Sequence, residues 1–454
     1  MARKVRKRSN FESPDAEAFV AEVSDHPVFE GEGDIVIARA PGRLDLMGGI
    51  ADYSGSLVLQ WPLREATLVA AQPTSDGRAN AVSLDAGGAE PRSSDLNVRE
   101  MFPFGQPLGY DEARRFFAAR PERWWAAYVF GVLLVLARER GLRCPSGLRL
   151  LIRSTVPEGK GVSSSAALEV AVMQAVSAAF DLPLDPRDLA LLAQIVENRV
   201  VGAACGVMDQ MTASCGVSGR LLALLCQPAE LRGTLALPED LEIWGVDSGV
   251  RHAVAGSDYA SVRVGAFMGA RILGRGGYLA NVSPSELEGG TSLPEAMSGA
   301  DFLAAYEGIA DSVTRVDPAC RYAVRACAAH PVYEHFRVRA FAELLQARAS
   351  ERRSELLGEL MYQSHASYSA CGLGSEATDL VVALVRAAGA SGGFFGAKIT
   401  GGGSGGTVAV LGRRGASISQ IAQACEARTG HRPRVFSGSS SGSAAFGTIR
   451  LGLA

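Results

Sequence analysis

Glycine and serine cluster in three well-separated segments, and each has the make-up of an anion-binding loop. They are Pro41-Gly42-Arg43-Leu44-Asp45-Leu46-Met47-Gly48, then Gly159-Lys160-Gly161-Val162-Ser163-Ser164-Ser165-Ala166, then Gly401-Gly402-Gly403-Ser404 with Gly405 and Gly406 behind it. A loop bare of side chains lets backbone N–H groups approach an anion, and a helix that follows adds its positive N-terminal end. The second segment has the most to offer. Its serines fall where a helical pattern begins, so Ser164 and Ser165 set hydroxyls beside unpaired N–H groups. A triphosphate can rest there, with one hydroxyl on Mg²⁺. A helix cap alone needs a single serine. Three such segments in one chain point to one phosphate-rich ligand, a nucleotide.

Two familiar nucleotide motifs do not fit. Gly401 to Gly406 satisfies G-x-G-x-x-G, but a dinucleotide fingerprint needs a helix next, and Thr407-Val408-Ala409-Val410-Leu411 reads as a strand. The protein-kinase reading fails too, because H-R-D and D-F-G are absent downstream. Gly159-Lys160-Gly161 is not a Walker A loop, since no Ser or Thr directly follows Lys160.

The elements that must position these segments alternate between strand and helix. Asp34 to Ala40 reads as a strand feeding the first segment, with further strands at 57–63, broken by Pro62, and 67–71. Residues 72–110 are rich in turn formers and read as loops, and 111–140 as one helix whose aromatics Trp124, Trp125 and Tyr128 belong to a core. A strand at 148–152 leads into the second segment, and a helix follows from Ser163 to Phe180. Asp185-Pro186 caps the next helix, 187–200. Strands at 221–225 and 242–246 precede a compositional shift, a surface insertion near 276–299, and helices near 261–273, 333–347, 350–364 and 375–389. The fold class is α+β, with mixed sheets and helices. The division is an N-terminal extension, 1–33, and two domains, 34–245 and 246–454.

At 454 residues the chain is long enough for two cores, and a net charge of −3 gives it no global attraction for nucleic acid or membrane. The basic run at Arg3, Lys4, Arg6, Lys7 and Arg8 reads as a frayed arm. The eight cysteines include no C-x-x-C pair, which excludes the usual zinc and disulfide frameworks. No long apolar run or leader pattern is present, so the expectation is a cytoplasmic protein, monomeric or weakly homo-oligomeric, whose partners are small molecules.

In order and spacing, the three segments resemble the motifs of the GHMP small-molecule kinases, and the galactokinase-like branch is the most similar. Cys205-Gly206-Val207-Met208-Asp209-Gln210 resembles that branch's catalytic C-G-x-M-D-Q. Gly249-Val250-Arg251-His252 with Tyr259 resembles its later sugar-site stretch, and Ser364-His365-Ala366-Ser367 one of its helices. Residues 42–56, 157–167 and 397–408 are similar in wording to plant L-arabinokinases within that branch. The resemblance implies the two-domain GHMP fold with its site in the cleft between domains, ATP and Mg²⁺ as cosubstrates, and phosphorylation of a sugar at its anomeric hydroxyl.

Roles follow residue by residue. A sugar hydroxyl is a poor nucleophile, and Asp209 is the carboxylate that would orient it and take its proton. Arg43 would stabilise charge between the attacking oxygen and the γ-phosphate. Glu197 matches the family position that holds Mg²⁺ opposite Ser165, although an exposed helical Glu is the plainer reading. Lys160 belongs either to the phosphate loop or to solvent. For the sugar, the resemblance assigns Asp52, Gly49, Ile50, Tyr53, Gly206 and Tyr259.

Galactokinases read PGR-x-N-x-x-GEH-x-DY, with the Glu on the C6 hydroxyl. Here Gly49 and Ile50 stand in the Glu and His positions, while Asp52 and Tyr53 remain. Loss of that carboxylate and an apolar wall at Ile50 favour L-arabinose, which is galactose without C6. A galactokinase, a galacturonokinase and a catalytically silent sugar sensor are the alternatives; the sensor ranks lowest because Arg43, Ser165, Glu197 and Asp209 are all present. The replacement of Asn by Asp45 has no account at this level.

Overall fold

The computed structural model describes residues 3–7, 13–29, 31, 33–84, 92–120, 124–250, 257–274, 277–290 and 292–453. Arg251 and His252 lie outside these. The first segment is not a loop. Ile35–Met47 is one strand running straight through Pro41-Gly42, and Leu57–Pro73 is its antiparallel neighbour, continuous across Pro62. Pro62 sits opposite Arg43, where the register breaks between Pro41 and Arg43. A proline is tolerated at such an irregularity because no ladder N–H is required of it.

These two strands centre a nine-stranded sheet. Its order is Arg3–Lys7, Ile449–Leu453, Ile35–Met47, Leu57–Pro73, Leu148–Ser154, Arg78–Leu84 and Arg92–Asn97, with Arg220–Leu225 and then Glu230–Ala236 branching from Leu57–Pro73. Helices Ala126–Arg140 and Ser164–Ala179 are buried in the largest core cluster, against Ala38, Val69, Leu150 and Ile152 of the sheet. Their nearly uninterrupted apolar sequences, Val129 to Leu136 and Val170 to Val176, are those of helices enclosed on several sides.

A second, four-stranded antiparallel sheet orders Phe394–Ile399, Thr407–Arg413, Leu241–Asp247 and Val435–Ser437. Helices Glu351–Ala370 and Glu376–Ala388 pack on it, and Val324–Gln346 packs on Glu351–Ala370 and on the first sheet's strands Ile35–Met47 and Leu57–Pro73. One cluster joins the two sheets, with Leu44, Leu59 and Trp61 meeting Phe341, Met361, Phe395 and Leu411.

Several expectations are corrected here. The division at 245/246 falls inside the strand Leu241–Asp247, all of whose partners lie in the second sheet, and Ile449–Leu453 returns to the first. The basic arm is a strand, Arg3–Lys7, paired with Ile449–Leu453. Helix Pro14–Asp25 packs Phe19 and Val23 on Ile35 and Ile37. Within 72–110 a hairpin, Arg78–Leu84 with Arg92–Asn97, replaces expected loops. The helix read over 111–140 is two, Tyr110–Ala118 and Ala126–Arg140, and Trp124 before the second is exposed. The helix expected over 187–200 begins as read, its N–H groups capped by Asp185, but after Ile195 it widens to a π turn, Val196–Val201. Such turns recur at functional sites because they re-aim one side chain. This one carries Glu197. Among the described residues, no helix is long and apolar enough to cross a membrane.

The structure explains Asp45. Its carboxylate is fully buried in an ion pair with the equally buried Lys398, and accepts from Gly49 N at 2.9 Å and Gln60 Nε2 at 2.7 Å. Its own N–H donates to Thr400 Oγ1 at 2.6 Å. An Asn cannot balance a buried ammonium. Asp45→Asn should cost about 3–5 kcal/mol, the usual penalty for leaving a buried charge without its partner. Adding Lys398→Met should recover much of it in denaturant titrations, and an unchanged midpoint for Asp45→Asn would show that Lys398 is satisfied otherwise.

Candidate active site

The Leu148–Ser154 strand delivers the second segment to the start of helix Ser164–Ala179, and Ser163 enters that helix at φ +62°. A left-handed serine is costly, and here it is held by a bond: Ser163 Oγ donates to Asp209 Oδ2. Asp209 begins the short helix Met208–Cys215 and receives Arg43 in a two-pronged pair, Nε to Oδ1 and Nη2 to Oδ2, both at 2.8 Å. The third arm of Arg43, Nη1, donates to Gly161 O at 2.7 Å. Burial opposes the guanidinium's charge, but Asp209 outweighs it and raises Arg43 above its ordinary value. One arginine thus ties the first-segment strand, the phosphate loop and Asp209 together.

These groups line a cavity of about 890 Å³. Gly159, Gly161, Ser163, Ser164 and Ser165 form one side, with Gly401 and Gly402 of the third segment; Asp52, Gly206 and Tyr259 form another. Gly206 is required by close approach, because a Cβ there would lie 1.7 Å from Asp52 Oδ2. Tyr259 Oη reaches Asp52 Oδ1 at 3.5 Å.

Glu197 lines the cavity beside Ser165, whose hydroxyl bonds it, and is buried rather than exposed. Gln210 Nε2 bridges Glu197 Oε2 at 2.6 Å and the fully buried Glu169 Oε2 at 3.2 Å. Burial first, then Asp209, pushes Glu197 up to about 7, against bonds from Ser165, Cys205 and Gln210. Burial, and next the neighbouring Glu197, pushes Glu169 up strongly. Asp52 also rises to about 7, through burial and then Asp209, with Arg263 opposing.

Not every expected residue faces the cavity. The 3₁₀ turn Gly49–Ser54 presents Asp52 to it, while Ile50 and Tyr53, three residues apart on one side of the turn, point into the apolar cluster of Val264, Tyr368 and Ile399. Gly49, Ile50 and Tyr53 are not among the lining residues, so the apolar wall expected of Ile50 is not at the cavity surface. Lys160 turns away to pair with Asp247 Oδ2 at 2.9 Å. Val162 and Ala166 are buried beneath the loop. Gly403 packs against Leu373, and Ser404 bonds Leu373 O and Asp258 instead of facing inward.

The sequence reading gave no site role to three lining residues, Trp124, Tyr128 and Arg315, or to two residues outside the lining, Arg263 and Glu169. Trp124 and Tyr128, assigned to core, face the cavity edge to face with centroids 5.5 Å apart. Arg263 is buried between Asp311, at 2.7 and 2.8 Å, and Cys205 O at 3.2 Å, and so joins the Asp209 loop to the lining residues Val313 and Thr314. Arg315 also lines the cavity. Glu169 alone left a signal in the sequence, a lone acid one turn after Ser165 in an apolar helix.

Comparison with known proteins agrees with this geometry. Three family models match: the GHMP kinases N-terminal domain over residues 127–217, the galactokinase galactose-binding signature over 27–73, and the GHMP kinases C-terminal model over 341–431. A galactokinase of Chloroflexus aggregans is 34% identical over 83% of both chains. The chain belongs to the GHMP kinase family.

Within the family, an L-arabinokinase of Arabidopsis thaliana is 44% identical over 93% of this chain. This chain spans 47% of that relative's length. Among solved structures, Lactococcus lactis galactokinase complexed with galactose shares the fold, with a TM-score of 0.73 over 94% of this chain and 99% of its own at 22% identity. Mevalonate kinase of L. major follows at 0.54 over 91% and 97%, with 15% identity.

The raised Asp52 makes a prediction for this GHMP kinase. An acid whose folded value exceeds its unfolded one holds extra protons when folded, so stability falls as pH rises between the two. For Asp52 that window runs from 3.8 to about 7. The unliganded protein should melt lower at about pH 8 than at about pH 6, and Asp52→Asn, which cannot ionise, should remove part of that drop. Melting curves of the two proteins at both pH values are the check; identical pH dependence would mean that Asp52 does not carry it.

Proposed function

We propose that this chain is an ATP-dependent sugar-1-kinase and that its sugar is L-arabinose. The observation that carries the kinase reading is the two-pronged Arg43–Asp209 pair, set at the cavity between the serine segment and Asp52. The backbone of Gly159 to Ser165 and the start of helix Ser164–Ala179 supply N–H donors for a triphosphate. Asp52 accepts ring hydroxyls and leaves the anomeric oxygen toward Asp209. That oxygen bonds to the γ-phosphorus as the bond to ADP breaks, and its proton passes to Asp209. Arg43, already paired and immobile, faces the charge that develops, so little reorganisation is needed.

Magnesium fits the donors present. Ser165 and Glu197 offer two adjacent hard oxygens, which is as much as Mg²⁺ asks of a protein when phosphates and water complete its shell. Bound there, it would neutralise phosphate charge.

The choice of L-arabinose rests on two supports. One is the 44% identity to an L-arabinokinase over nearly the whole chain. The other is position 49, where a glycine stands in place of the acid that galactokinases direct at a C6 hydroxyl. The 34% identity to galactokinases keeps galactose as the second reading.

Asp209→Asn should lower kcat by about 10²–10⁴ while sugar binding, read by calorimetry, persists; full turnover would remove Asp209 from the chemistry. A panel of L-arabinose, galactose and galacturonate with ATP, read by ADP release, should give the highest kcat/KM for L-arabinose. A preference for galactose would replace the sugar assignment and leave the kinase reading intact.

A further inference from the structure

Gly49 is not simply vacant. A Cβ built on it would lie 1.5 Å from Tyr368 Oη and 2.7 Å from Tyr368 Cζ. Tyr368 comes from helix Glu351–Ala370, more than three hundred residues along the chain, and is fully buried. Its hydroxyl accepts from Ile50 N at 2.9 Å. Its one proton goes best to Gly401 O at 3.1 Å, with Asp45 Oδ2 farther off at 3.4 Å. The ring lies under Lys398 Nζ, 5.0 Å from the centroid, and edge-on to His330 at 5.2 Å. Tyr368 therefore occupies the space into which a side chain at 49 would project, and pins the turn carrying Asp52 to the glycine loop at Gly401.

We propose that Tyr368 is a positioning residue for the sugar: its hydroxyl fills the slot beside Gly49, excludes any side chain there, and fixes the Gly49–Ser54 turn so that Asp52 meets the substrate at one distance. It lines no part of the cavity and acts through Ile50 N, Gly401 O and the Asp52 turn. The inference deepens the sugar-kinase reading and rests on it. Gly49 and Tyr368 become a coupled pair, because no larger residue can enter at 49 while the phenol remains. The backbone at Gly49, with φ +40°, adds a separate cost to any substitution, which no change at Tyr368 relieves.

The test is a double-mutant cycle in the full chain with Gly49→Ala, Tyr368→Leu and the two together, beside Tyr368→Phe alone. KM for sugar, KM for ATP, kcat and the melting temperature are read for each. Gly49→Ala should raise the sugar KM by about tenfold with the ATP KM held within about twofold, and Tyr368→Leu should recover part of that loss, the non-additivity expected of residues in contact.

Tyr368→Phe keeps the ring and the fold but leaves Ile50 N and Gly401 O unpartnered, so it should raise the sugar KM selectively even if Gly49→Ala does not fold. Additive effects on the sugar KM, sugar and ATP KM moving together, or an unchanged sugar KM in Tyr368→Phe would each overturn the proposal. If the wild type prefers galactose, the substrate assignment falls and the cycle is read on galactose. If it turns over no sugar, calorimetric affinities replace KM, and failure to bind any of them overturns both.

Discussion

Two ion pairs on one strand, one fully buried and one partly buried, hold the three glycine-rich segments to each other. Arg43 and Asp45 are two residues apart on Ile35–Met47; the first reaches Asp209 and the carbonyl of Gly161, the second reaches Lys398 and Thr400. Charges taken out of water are tolerable only with matched partners and further hydrogen bonds, and removing one partner strands the other. The strand therefore fixes the phosphate loop, the Asp209 helix and the second sheet in one geometry. A site that must stabilise a brief transfer of charge benefits from that rigidity, because its dipoles are set before the substrate arrives.

Among the described residues, the cavity lining is short of cations. Asp52, Glu197, Asp209 and Asp317 line it against Arg43 and Arg315, and Arg43 is already committed to Asp209. Burial first, and then the neighbouring Asp209, pushes Asp52 and Glu197 up to about 7. A bare triphosphate would meet repulsion there. On the proposed reading a triphosphate that brings a divalent ion would not, and Ser165 and Glu197 would offer that ion oxygen donors.

Much of this was legible along the chain. Three serines where a helix starts, the Asp185-Pro186 cap, and a C-G-x-M-D-Q stretch in uncharged surroundings are local features, set by N–H groups that need partners and by chemistry that needs a carboxylate. Their local structure followed from neighbours in sequence. The errors have a different origin. Pro41-Gly42 and Pro62 looked like breaks, yet both are carried in long strands because each lies at a register irregularity opposite the other strand. Lys160 reads in sequence as belonging either to the phosphate loop or to solvent, and it pairs instead with Asp247 from the other sheet.

Sequence by itself determined the family, the α+β class, and the acids, serines and arginine available for chemistry, because these depend on residue type and short spacing. Only the tertiary structure decided which way each one faces. Ile50 and Tyr53 turn into the core while Asp52 turns out, since a 3₁₀ turn separates them by its own period. The reason position 49 is glycine lies in a tyrosine hydroxyl more than three hundred residues away, and a contact between distant segments leaves no mark on the local pattern of either.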